Sequence, residues 1–173
     1  ARAAAWLDDA GRLGALTAAA AVVQAALPNH AAPPEIYTDF CDLMGALDRD
    51  PAWARAYVRW ELALLADLGF GLDLGHCAST GTTDNLIYVS PRSGRAVSAE
   101  AGLPYKDKLL ILPDFLRSEA GGAVADPAEL VAGLKLTGHF LSHHVLEPNG
   151  GHLPPARIRL VDRLSHSGTT SGI

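Results

Sequence analysis

Sulfur is scarce in this chain, which has two cysteines, Cys41 and Cys77, and one methionine among 173 residues. Two thiols cannot build a disulfide framework, so the fold must stand on its core, and a reduced, cytoplasmic setting is expected. Long apolar runs are also missing. The longest, residues 15–27, contains Thr17 and Gln24 and stops at Pro28, so it reads as a buried helix and not as a membrane span. No basic segment followed by an apolar run and a cleavage site opens the chain, so no secretion signal is expected. The first residue is Ala, which suggests a fragment or a processed product. Positive charge is the minority sign: 14 Lys and Arg stand against 19 Asp and Glu, for a net charge of −5. Phosphate binding depends on Lys and Arg releasing counterions, so the chain as a whole has no electrostatic pull toward nucleic acid.

Catalytic signatures are absent as well. There is no Walker loop and no G-x-G-x-x-G; the glycines of residues 69–75 follow a helix instead of joining a strand to one. Ser90, Ser93 and Ser98 lie in no G-x-S-x-G elbow. Asp73, Asp84 and Asp107 have no partner in the sequence that would form a cleft with shifted pKa values. No enzymatic activity is expected.

What is present is apolar and helical. Hydrophobic residues make up 49% of the chain, enough to bury a core as one domain with a small appendage. Residues 1–27 are alanine-rich and read as helix up to Pro28, with Gly11 and Gly14 as points where it can divide in two. Residues 29–34 form a proline-bearing linker. Ile36, Phe40, Leu43, Met44 and Leu47 recur at helical spacing over residues 35–47, and Cys41 is assigned to that buried face. Asp50 is placed to cap a central helix over residues 51–68, with Pro51 at its first position and Gly69 and Gly71 closing it. Residues 86–89 read as a strand, with a Ser93-Gly94 turn and a return strand at 95–97. Asp126-Pro127 opens a helix to about residue 146, residues 153–164 form a short last helix, and residues 165–173 form a flexible polar tail. The fold class is mostly α: a helical bundle with a small β-hairpin appendage.

The densest pattern lies at residues 61–81, ELALLADLGFGLDLGHCASTG, followed by LIYVSPRSGRAVS at 86–98 and AGLPY at 101–105. Cys77 with Thr80, and Ser98 with Ala101, stand where a zinc knuckle keeps two pairs of cysteines. Only Cys77 is a ligand type, and a structural zinc needs about four N or S ligands. The helix ending E-L-x-L-L-x-x-L-G-F-G-L-D-L, the cysteine after it, the S-P-R-x-G hairpin and the later Leu153-Pro154-Pro155-Ala156-Arg157 resemble the C-terminal part of the RecO recombination mediator family over about residues 36–164. The resemblance implies a helical domain over residues 1–164 with a degenerate zinc-knuckle insertion at about 77–101. The family's N-terminal OB-fold barrel has no counterpart here. It implies a DNA-repair and DNA-recombination role: displacing single-stranded DNA-binding protein, annealing strands, and working with RecR to load the recombinase after DNA damage. No metal or cofactor is expected.

Site candidates follow from residue type. Arg55 and Arg59 are one turn apart beside Trp60 and Leu64, and are expected on an exposed helix edge. That face is assigned to the acidic, aromatic-ended tail of single-stranded DNA-binding protein, since arginine pairs a carboxylate bidentately; a solvated edge is the plain alternative. Arg92, Arg95, Lys106, Lys108, Arg157, Arg159 and Arg163 are the DNA-binding candidates, for weak contact with single- and double-stranded DNA. Tyr88 and Tyr105 are the only aromatics near them. His139, His143 and His144 could share a metal, but the glutamate of an H-E-x-x-H site is replaced by the Phe140-Leu141-Ser142 run. The competing reading is a structural helical domain, without a ligand of its own, that supports the missing OB-fold.

Overall fold

The computed structural model describes residues 9–27, 32–117 and 126–166. Helix α1 (Ala10–Ala26) is capped by Asp9, whose Oδ1 accepts the Arg12 amide at 3.2 Å. It runs through Gly11 and Gly14 without a break, so the glycines do not divide it. A Cβ on Gly11 would lie 3.0 Å from the Trp53 ring, and the missing side chain lets that ring close on the helix. The buried stripe of α1 is Ala15, Ala18, Ala19, Val22 and Ala26. Such small residues allow close approach, and α1 packs chiefly against the last helix. The part of the first expected helix at residues 1–8 lies outside the described residues.

Helix α2 (Pro34–Arg49) begins with proline at its first position and buries Ile36, Leu43 and Leu47 against α3 (Trp53–Asp67). Helix α3 starts at Trp53 with Ala52 as its cap residue and no side-chain capping bond, which corrects the expected Asp50 cap and Pro51 start; Asp50 Oδ1 instead accepts the Ala52 amide at 2.8 Å in the turn between the helices. Cys41 is exposed. It follows Phe40 by one residue and so rotates off the apolar stripe, which corrects its assignment to the core. Helix α3 is central and buries Tyr57, Val58, Trp60, Glu61, Leu64 and Leu65. Gly69, at φ +90°, ends it, and the Phe70 amide reaches back to the Leu65 carbonyl at 2.8 Å. That left-handed closure is open to glycine at no steric cost.

A three-stranded antiparallel sheet follows, in the order β2 (Ala96–Ser98), β1 (Leu86–Val89), β3 (Leu110–Ile111). Residues 73–78 lie alongside β2: Asp73 and Gly94 join through a 3.0 Å bond, and the Ala78 amide donates to Ala96 at 2.8 Å. The third strand has only two residues, too few for an alternation to show, and the sequence pattern gave no sign of it. A one-turn helix α4 (Ala99–Gly102) and a 3₁₀ turn (Leu103–Lys108) connect β2 to β3.

Helix α5 (Pro127–Phe140) starts as its sequence predicts, with Pro127 at the first position and Asp126 Oδ1 accepting the Ala128 amide at 3.0 Å. The expected single helix to residue 146 changes at Leu141–Leu146 into a π turn. Helix α6 (Pro155–His166) closes the described fold and takes in Ser165 and His166, which were expected in the tail; the rest of that tail, 167–173, lies outside the described residues. No helix is long and apolar enough to cross a membrane among the described residues.

Candidate functional site

The centre of the bundle holds charge. Glu61 is fully buried on α3, and Arg157 of α6, 3% exposed, grips it with Nε to Oε2 and Nη2 to Oε1, both at 2.8 Å. Arg157 Nη2 also donates to the Leu134 carbonyl at 2.8 Å, Thr137 Oγ1 donates to Glu61 Oε1 at 2.7 Å, and the Tyr57 hydroxyl donates to Glu61 Oε2 at 3.1 Å. A Cβ on Gly138 would lie 3.0 Å from the guanidinium, so α5 carries glycine where the arginine passes. Burial would lower the Arg157 pKa, but attraction to Glu61 overcomes it and raises it; burial and the Glu61 charge together hold the Tyr57 hydroxyl well above its usual range. A bidentate pair with every lone pair satisfied is the arrangement that makes a buried charge tolerable.

This corrects one candidate outright. Arg157 fixes three helices together and cannot reach a phosphate. The other six cations expected at DNA are exposed. Arg92 and Arg95 sit at the β1–β2 turn, Arg95 lying 4.0 Å from Asp73 Oδ2. Lys106 and Lys108 occupy the 3₁₀ turn before β3, and Arg159 and Arg163 line a groove between α1 and α6 that also carries Asp162.

The expected partner face divides in the same way. Arg55 and Leu64 are buried, at 8% and 0% exposure, so the exposed edge assigned to them does not exist; Trp60 is 4% exposed. Arg59 is half-buried, donating to the Phe115 carbonyl at 3.0 Å with its guanidinium carbon 5.9 Å from the Phe115 ring centre. Arg59 and Trp60 nevertheless meet in a cleft of about 260 Å³ between α2 and α3, with Leu43, Ala56 and Ala63 as apolar wall and Asp39 and Asp42 on the α2 side. The Trp60 indole N–H is buried and finds no acceptor among the described residues. Phe40 packs edge-on to that indole, ring centres 6.3 Å apart. On α3, Asp67 hydrogen-bonds Asp39, and this bond, burial and the charges of Asp39 and Glu35 raise its pKa to about 6.

The four positions spaced as in a zinc knuckle lie together, held by hydrogen bonds around Cys77. Cys77, Thr80, Ser98 and Ala101 converge: the Ser98 amide donates to Cys77 Sγ at 3.3 Å, Sγ lies 3.7 Å from Ser98 Oγ, and the Ala101 amide donates to that Oγ at 3.2 Å. Burial would raise the Cys77 thiol, but hydrogen bonds from the Thr80 hydroxyl and from the amides of Ser98, Thr80 and Ser79 bring its pKa down to about 6. One thiol, two hydroxyls and a methyl do not fit tetrahedral zinc.

Of the three histidines, His139 bonds the hairpin. His139 Nε2 lies 3.0 Å from the Pro91 carbonyl, which can only accept, so that nitrogen carries the proton. His143 Nδ1 meets Glu147 Oε2 at 2.9 Å. Among the described residues no three His, Cys, Asp or Glu side chains are grouped to hold a metal ion.

The family model described as "Recombination protein O C terminal" matches residues 7–154. The DNA repair protein RecO of Phenylobacterium zucineum is 53% identical over 165 residues, covering 95% of this chain and 67% of that protein. The protein of the same name from Rhodospirillum centenum is 50% identical over 175 residues, covering 100% and 68%, and that from Paracoccus denitrificans is 44% identical over 167, covering 96% and 66%. The chain thus spans about two thirds of the length of these relatives. No solved structure matches.

Proposed function

The chain belongs to the RecO family of DNA-repair proteins, and from that premise we propose that residues 1–164 act as a non-catalytic, cytoplasmic binding module of a recombination mediator. Its principal ligand is the acidic, aromatic-ended tail of single-stranded DNA-binding protein. RecR and weakly held single- or double-stranded DNA are its further partners in strand annealing and recombinase loading. The observation that carries the tail assignment is the α2–α3 cleft, where the Trp60 indole, whose buried N–H finds no acceptor among the described residues, lines the wall beside the half-buried Arg59 guanidinium and apolar side chains. A terminal carboxylate or peptide carbonyl satisfies the first two, and an aromatic ring fills the third. Asp39 and Asp42 repel an acidic chain from the α2 side, so the tail approaches over Arg59. Arg55 and Leu64 support the face from beneath and do not touch the tail.

Titration of a fluorescein-labelled acidic peptide ending in Asp-Pro-Phe tests this. Arg59→Glu should weaken binding at least about tenfold, since a hydrogen bond to a charged group contributes roughly 1.5–3 kcal/mol. Unchanged affinity with an intact circular dichroism spectrum moves the tail site elsewhere.

A second reading, a domain that supports the rest of a longer protein, is favoured by the exposed Leu103, Tyr105 and Ile111 beside the sheet, which a neighbouring domain would cover. It predicts no peptide binding at all.

A further inference from the structure

We propose that the cleft between the turn after α3 and the β1–β2 turn stacks one unpaired base of a single-stranded nucleic acid, with Arg92 contacting the adjoining phosphate. The proposal rests on reading the chain as a DNA-repair module and names where a strand is held. The cleft encloses about 250 Å³, and Phe70, Arg92, Gly94, Phe140 and His144 are among its walls. Three rings run through it. Phe140 is buried and lies nearly parallel to His144, at 28° and 5.3 Å between centres, and His144 in turn stands 6.1 Å from Phe70. Phe70 itself is 41% exposed, a large aromatic left open at the mouth.

The surroundings hold this opening in place. Gly94, at φ +68°, holds a backbone conformation that other residues enter only with strain, and a Cβ there would come within 2.7 Å of Leu72 Cδ2. The bond from His139 Nε2 to the Pro91 carbonyl pins the turn to α5 one residue before Arg92. Arg92 is exposed, lines the cleft and makes no hydrogen bond or ion pair with the described residues, so its charge is not neutralised by them. An exposed ring, Phe70, backed by His144 and Phe140 and flanked by a guanidinium without a described partner, is the combination that holds a base by stacking and its phosphate by charge. Tyr88 and Tyr105, the aromatics that proximity in sequence suggested, are not in this cleft: Tyr88 is buried in the sheet and Tyr105 lies on the 3₁₀ turn.

The test compares fluorescein-labelled dT15 with an abasic deoxyribose-phosphate strand of the same length, by anisotropy at low salt with the whole chain. The unsubstituted chain should bind dT15 at least about fivefold more tightly than the abasic strand, the lower range of one stacked base. Phe70→Ala should abolish that preference and leave abasic binding unchanged, while Phe70→Trp retains the preference. Arg92→Gln should weaken both strands and reduce the salt slope by about 0.7. Should the alanine variant lose its helical spectrum, Phe70→Leu, which keeps the bulk without the ring face, takes its place. A preference for dT15 that survives loss of the ring overturns the proposal while leaving a DNA-binding module. Equal binding of both strands by the unsubstituted chain does the same. Displacement of dT15 by the acidic Phe-ended peptide in a Phe70-dependent manner assigns the cleft to the peptide and also overturns it. No binding of either strand at low salt overturns both the proposal and the reading it rests on.

Discussion

Replacing Arg157 by methionine tests the buried network most severely. The substitution removes three hydrogen bonds of 2.8 Å and leaves the Glu61 carboxylate, fully buried, with only the hydroxyls of Tyr57 and Thr137. Breaking a buried pair from one side costs about 3–5 kcal/mol, because the stranded charge has lost both its hydration and its partner. For a chain of this size each kcal/mol shifts Tm by about 2–4 °C, so Tm should fall by about 6–20 °C. Urea unfolding followed by circular dichroism gives the free energy, and a thermal scan gives Tm. Removing the charge and its dependants together, in the triple variant Tyr57→Phe, Glu61→Leu, Arg157→Met, should recover most of the loss, since an apolar trio strands nothing. Arg159→Met, two residues away and exposed, should change stability by no more than about 0.5 kcal/mol. A loss below about 1 kcal/mol for Arg157→Met would refute the reasoning.

Elemental analysis of the purified chain should find no stoichiometric zinc, and one tight zinc per chain would redirect attention to His76 or to His139 and His143. Asp67 has its folded pKa raised to about 6 chiefly by the hydrogen bond its protonated carboxyl donates to Asp39, so its stabilising contribution is present below the unfolded carboxylate pKa and lost as pH rises through 6. Asp67→Asn should therefore raise the urea midpoint at pH 7.5 and bring little gain at pH 4.5; equal effects at both would discount the carboxyl pair. Cys77 has its pKa lowered to about 6, so its contribution is present above the unfolded thiol pKa and lost as pH falls through 6; Cys77→Ser should flatten that part of the stability profile. DNA binding by this chain should be weak, with a slope of log affinity on log salt near −3 for about four phosphates engaged by cations among Arg92, Arg95, Lys106, Lys108, Arg159 and Arg163. Nanomolar affinity at high salt would contradict it.

The helices were legible because their apolar residues recur every three or four positions and their caps are chemically specific, as at Asp126-Pro127. The same spacing held information that charge obscured. Arg157 precedes Leu160 and Leu164 by three and seven residues, and Glu61 follows Tyr57 by four, so both charges lie on buried stripes. Reading charge as surface hid the pair. Arg55 was misplaced for the same reason, and Cys41 was misplaced by counting it with a stripe it just misses. The Phe70–His144 cluster was invisible because its rings come from segments about seventy residues apart, brought together by tertiary packing that no local spacing records. The meeting of Cys77 with Ser98 could be expected because the two pairs of positions were spaced as in a zinc knuckle.

The claim that the α2–α3 cleft receives an acidic, aromatic-ended tail is tested most directly at the Trp60 indole. In a proton–nitrogen correlation spectrum of the labelled chain, titration with the Asp-Pro-Phe peptide should shift the Trp60 side-chain N–H strongly downfield as it gains an acceptor, and leave that of Trp53 in place. Saturable binding of the peptide with the Trp60 indole signal unmoved would contradict the account.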